Sequence, residues 1–197
     1  MTTLREEHAQ QTRDALIAAG SDRFVNDGYA TTSVARIVED ARVSKGAFYH
    51  HFPDKKALLK AVVSAACDRS EVMIRQTVEN APGSDDLVAS ALDAAMEAVQ
   101  NDEDYRTLRQ QATGVLTDEE RRELDDRLRL PLVSSILEEL RRQGELDADL
   151  DPDATTALVV ALLETTKEEI TASDDPTVRY SQFRPVLLRF IRSLAAD

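Results

Sequence analysis

Tryptophan is absent from this 197-residue chain, and cysteine occurs once, at Cys67. One cysteine excludes an intrachain disulfide framework and suits a reducing compartment. Histidine occurs three times, at His8, His50 and His51, which speaks against a His-rich metal site. Glycine and proline are scarce, at six each, so little punctuates the chain in the manner of strands and turns. No apolar run approaches 18 residues, so no helix is expected to span a membrane. The opening residues lack the apolar stretch of a signal peptide, and the expected location is cytoplasmic. The sequence shows no Ser/His/Asp set, no Gly-rich phosphate loop and no zinc spacing. It is therefore read as a non-enzyme without a cofactor.

Positive charge is also in short supply, since the net charge is −13. That total conceals an asymmetry. Residues 1–60 hold 9 Lys and Arg against 8 Asp and Glu, a net of +1, whereas the remainder nets −14. The larger part repels polyanions, and any contact with nucleic acid is expected in the N-terminal third. Elsewhere the acidic residues read as helix caps and solvated surface. Asp147, Asp149, Asp151, Asp153, Glu138 and Glu139 lie at predicted helix ends or on polar faces.

What is present is helical patterning. Apolar residues recur every three or four positions, and no segment sustains a strand's alternation. The spacing and punctuation predict about nine helices, at roughly 6–27, 33–40, 45–51, 55–80, 85–100, 104–112, 118–143, 152–172 and 177–195. Gly28 is expected to end the first, and Thr32 to cap the second. Ser44 should cap the third and Asp54 the fourth, with Asp151–Pro152 opening the eighth. The break before the fifth is read at Ala81–Asp85. Pro131 is expected to kink or divide the seventh. The fold class is all-α.

Residues 31–52 carry the functional signal. Two short helices meet at a tight turn around Arg42–Val43, with Ile37, Val38, Ala41, Val43 and Phe48 facing inward. Outward lie Ser44, Lys45, Gly46, Ala47, Tyr49 and His50, a thin, polar and basic surface. A helix of that kind fits the major groove, where its first residues reach base edges. Ser44 and Thr32 also mark helix starts, where free N–H groups suit phosphate. Adjacent His50 and His51 point about 100° apart on a helix, which disfavours a shared metal. Cys67, without a resolving partner, reads as a small core hydrophobe.

Gly28-Tyr29-Ala30-Thr31-Thr32-Ser33-Val34, Ile37, Val43-Ser44-Lys45-Gly46 and Phe48-Tyr49-His50-His51-Phe52-Pro53-Asp54-Lys55 together resemble the N-terminal domain of the TetR family of transcriptional regulators. Thr12, Arg13, Leu16 and Phe24 match its first helix, and the resemblance covers about residues 10–70. It implies a helix-turn-helix DNA-binding domain at 1–55 and a helical effector-binding and dimerisation domain at 56–197. Thr32 and Ser33 would then approach phosphates. Ser44, Lys45, Gly46 and Ala47 would face the major groove. Tyr49, His50 and His51 would contact phosphate or base edges, and Lys55 phosphate. Arg42 departs from the resemblance, since the family usually has glycine in that turn. Arginine at positive φ costs about 1 kcal/mol, and Arg42 is counted with the DNA contacts.

The final helix places Phe183, Val186, Leu187, Phe190, Ile191 and Leu194 on one stripe, and the eighth offers Leu158 and Leu162. These are rich enough to serve two surfaces, and the resemblance implies a four-helix dimer interface. It also implies an effector pocket, for which Met73, Met96, Tyr105, Leu116 and Leu162 are candidates. The expected function is a homodimeric repressor, released from an inverted-repeat operator by a small molecule. An activator or a ligand-independent regulator is the alternative within DNA binding. An all-helical small-molecule-binding protein or enzyme is the alternative outside it.

Overall fold

Helix starts in this chain are written in short acceptor side chains. Ser33 Oγ accepts from the Arg36 N–H and Ser44 Oγ from the Ala47 N–H, at 3.4 and 3.1 Å. Asp54, Asp102, Asp151 and Asp175 do the same at four later starts. Each cap satisfies a backbone N–H that the first helical turn cannot pair internally. The computed structural model describes residues 4–79 and 87–195. All of the regular structure among them is helical: α1 (Leu4–Asp27), α2 (Val34–Asp40), α3 (Lys45–His51), α4 (Lys55–Glu79), α5 (Leu87–Asn101), α6 (Glu103–Val115), α7 (Asp118–Arg142), α8 (Pro152–Thr171) and α9 (Pro176–Arg192). No helix of the described residues is long and apolar enough to cross a membrane.

Several sequence expectations shift. The cap of α2 is Ser33 rather than Thr32. The Thr32 hydroxyl instead donates back to the Gly28 carbonyl at 2.7 Å, and the residue is buried. Pro131 does not divide α7, which continues to Arg142. α6 is longer than the 104–112 expected, because Asp102 caps it and the helix runs on to Val115. The anticipated break at 81–85 lies outside the described residues.

The chain forms two compact units. The first holds the residues up to Arg69 together with Val99–Leu124, and the second holds Ser70–Ala98 and Asp125 onward. This division differs from a cut at 55/56. Residues 55–69 of α4 and all of α6 pack with the first three helices, whereas residues 70–79 of α4 belong to the second unit.

In the first unit Leu16, Phe24, Ile37, Phe48, Leu58, Leu59 and Leu108 are fully buried. Burying such a side chain stabilises by roughly 1.5–3 kcal/mol each before the entropy of ordering is counted. Gly20 explains how α1 lies against α4, since a Cβ there would come within 2.9 Å of Leu58. Gln111 of α6 adds a polar tie. Its amide donates to the Phe24 carbonyl at 2.7 Å, and its oxygen accepts from the Tyr29 N–H at 2.6 Å.

In the second unit Leu87, Val133, Leu137, Leu140, Leu146, Val159 and Val160 form the core, with Leu163 and Leu194 packed on it. Asp93 of α5 binds α9 through the Arg184 fork, at 2.7 and 2.6 Å, and through the Tyr180 hydroxyl at 2.7 Å.

Candidate nucleic-acid interface

The α2–turn–α3 hairpin is held from below by apolar side chains and from the side by one arginine. Ile37 and Val38 of α2 and Phe48 of α3 are buried, as is Phe52, the residue that ends α3. Arg23 of α1 forks onto Asp40 at the end of α2, at 2.5 and 3.0 Å, and also binds Asp27 at 2.9 Å. The fork holds the Asp40 carboxyl below its ordinary range. Asp27 takes a longer contact of 3.7 Å from Arg36. The sequence reading missed Arg23, whose partners lie 4 and 17 residues away.

With this support α3 turns one face out. Ser44, Lys45, Gly46, Tyr49 and His50 are exposed, Tyr49 by 57%. Ala47 and His51 are half-buried. Tyr49 leans edge-on against the buried Phe48 ring at 5.2 Å, which orients its phenol without covering it. Gly46 answers no need of the fold. A Cβ there would meet only Ser44 Oγ, at 3.7 Å. Burial, His50 and Arg13 hold His51 below its ordinary pKa, so it stays neutral near pH 7. Arg13 lies over the Phe52 ring at 5.2 Å. Ser33 is exposed at the start of α2, with its hydroxyl engaged in the cap.

Two expected phosphate contacts have other tasks. The Thr32 side chain is sealed inside and bonded to Gly28. Lys55 Nζ donates to the carbonyls of Tyr29 and Thr32, at 2.6 and 2.7 Å, and lies 4.2 Å from the Tyr29 ring centroid. Burial lowers its pKa. Lys55 thus ties the start of α4 to the α1–α2 loop. The physical reason is that those two carbonyls have an ammonium within reach, and a buried acceptor left unpaired is costly.

The basic residues sort accordingly. Between Arg23 and Lys60, Arg23 and Arg36 pair with aspartates and Lys55 binds carbonyls. Lys56 and Lys60 reach Glu120 and Glu123 of α7, each at 2.7 Å. The Lys56 contact and the Thr117 backbone pull Glu120 down to about 2. Arg42 and Lys45 remain, exposed and without a side-chain hydrogen bond or ion pair among the described residues. Both flank the start of α3.

The expected effector residues fall in both units. Leu116 is buried and Tyr105 half-buried in the first. Met96 and Leu162 are half-buried and Met73 is 57% exposed in the second. The expected dimer stripe splits by facing. Leu187 and Ile191 are buried within the unit, which corrects their assignment to an interface. Phe183, Leu162 and Leu194 are half-buried. Leu158, Val186 and Phe190 are exposed by 67%, 63% and 41%. Val186 and Phe190 line a groove of about 440 Å³ together with Pro185, Arg189 and Ser193.

A short helix projected on a packed pair, with its polar face in water, defines a helix-turn-helix protein. Residues 16–62 match the model of the bacterial regulatory proteins of the tetR family. The HTH-type transcriptional regulator UidR of Escherichia coli K12 is 29% identical over 93 residues, 47% of this chain and 47% of its own length. That match thus reaches about half the length of each protein. The HTH-type transcriptional repressor BepR of Brucella suis biovar 1 is 24% identical over 168 residues, 79% of this chain and 78% of its own. A crystallised TetR-family transcriptional regulator from Pectobacterium atrosepticum superposes with a TM-score of 0.76 at 26% identity, over 100% of this chain and 99% of its own. Residues 16–62 are thus similar to the tetR-family DNA-binding region, and the whole chain shares the fold of a TetR-family regulator.

Proposed function

We propose that this protein is a sequence-specific DNA-binding repressor that acts as a homodimer on an inverted-repeat operator. One observation carries the reading. α3 exposes Ser44, Lys45, Gly46, Tyr49 and His50 while Phe48 and Phe52 anchor it from beneath. The groove-facing set is small at its start, polar along its length and cationic at Lys45. Gly46 leaves room for close approach that the fold itself does not need. Repression is the sense supported by the likeness to BepR.

The dimer half of the proposal rests on Leu158, Val186 and Phe190, large apolar side chains that their own unit leaves in water. A two-fold pair joined there presents two copies of α3 to two half-sites. The regulatory half is release by a small molecule. A ligand that binds one state of the protein more tightly than another shifts the equilibrium by that difference in affinity.

The test is a duplex enriched from a randomised pool by the purified full-length protein, followed by a salt titration. The expected result is an inverted-repeat sequence bound with steeply salt-dependent affinity. Failure to enrich any duplex removes the reading.

A further inference from the structure

Positive φ occurs at three described residues: Gly28 at 84°, Gly144 at 77° and Arg42 at 55°. Glycine takes this conformation freely, whereas an L side chain is crowded there by its own Cβ. The ends of α2 and α7 are built alike. After α2, the Val43 N–H reaches the Val38 carbonyl at 3.0 Å and the Arg42 N–H reaches that of Glu39 at 3.1 Å. After α7, the Glu145 N–H reaches the Leu140 carbonyl at 2.9 Å and the Gly144 N–H reaches that of Arg141 at 3.0 Å. These are the same closing bonds in the same order. The left-handed position is a glycine in one and an arginine in the other.

Nothing in the first unit explains the arginine. Its backbone does what Gly144 does, and its side chain is exposed with no hydrogen bond or ion pair among the described residues. Aspartates and glutamates are abundant, and Arg23, Arg36, Lys56 and Lys60 have all found one. A residue held in a costly conformation, with a side chain that no internal group uses, points to an external partner. Position specifies the partner. Arg42 stands two residues before Ser44, the cap of α3, and three before Lys45, the other cation between Arg23 and Lys60 left without an internal partner. A planar guanidinium offers paired donors to the oxygens of a phosphodiester.

We infer that Arg42 is a backbone-phosphate contact that fixes the register in which α3 enters the groove. This inference rests on the proposed reading of α3, and its test separates the two. Wild-type protein, Arg42→Gly and Arg42→Lys are compared on one duplex enriched from a randomised pool by the wild type. Arg42→Gly relieves the left-handed strain and is expected to raise Tm by about 2–4 °C. It should also weaken binding about tenfold at 0.15 M salt and remove about one contact per protomer from the salt dependence. Arg42→Lys keeps the charge, so the salt dependence should stay near wild type, with no gain in Tm. An Arg42→Gly protein with wild-type affinity and salt slope overturns the inference and leaves the reading of α3 standing. So does a fall in its Tm, because Arg42 would then be holding the fold. If the wild type enriches no duplex, the reading itself has failed.

Discussion

α3 and α9 each display side chains that their own unit leaves in water, and the two displays differ in kind. On α3 they are Ser44, Lys45, Tyr49 and His50, with Gly46 between them. On α9 they are Val178, Val186 and Phe190, and on α8 Leu158. A polar, basic face is content in water and gains most from a polyanion, whose condensed counterions it releases. An apolar face gains by being covered, at roughly 25 cal/mol per Å². The surrounding charge sharpens the contrast. Residues 1–60 net +1, so little repels a phosphate backbone there, whereas the rest nets −14. Two copies of that acidic remainder would repel each other, so in the proposed dimer the attraction is assigned to the apolar stripe.

The comparison breaks most visibly on the α9 side. Phe190→Glu sets a carboxylate in the exposed stripe and should yield a monomer in sedimentation at micromolar concentration. Desolvating an unpaired charge costs several kcal/mol, so duplex affinity should fall by about 100-fold or more. A mutant that still sediments as a dimer takes α9 out of the interface.

Next comes Lys55, expected at a phosphate and engaged instead by carbonyls of the α1–α2 loop. Lys55→Met leaves the Tyr29 and Thr32 carbonyls without their ammonium. The urea midpoint should fall by the equivalent of about 1–3 kcal/mol. Unchanged stability with weakened DNA binding would return Lys55 to the contact face.

Lys45→Ala and Tyr49→Phe sharpen the α3 side. Each should cost about 0.5–1.5 kcal/mol of duplex affinity with Tm unaltered, and Lys45→Ala should also flatten the salt dependence. If neither substitution changes binding, the outward face has been drawn in the wrong place.

The smallest effect is one of pH. His51 has a folded pKa below its ordinary 6.5, so the unfolded chain takes the proton first. Its contribution to stability is present above pH 6.5 and is lost as pH falls below that value. Urea midpoints between pH 7 and 5 should slope less in His51→Gln than in the wild type.

The sequence made local features legible. Caps at Ser44, Asp54 and Asp151 and the apolar spacing of each helix are contained in a few neighbouring residues, and they located the helices to within a few positions. The outward set on α3 was legible for the same reason, since facing follows from a 100° step per residue. Thr32 and Ser33 show the limit. Both are cap formers, and only the inward turn of the chain after Gly28 decides that Ser33 caps while Thr32 is buried.

From its sequence alone this chain was bound to be helical, with an N-terminal pair of short helices showing a small polar face and a heavy acidic excess elsewhere. Tertiary structure alone decided which cations remained available. Arg23, Lys55, Lys56 and Lys60 are engaged by groups 17 to 64 residues distant, whereas Arg42 and Lys45 are not. It also decided which half of the α9 stripe faces inward. Ion pairing and burial depend on separations in space, which periodicity along a chain does not encode.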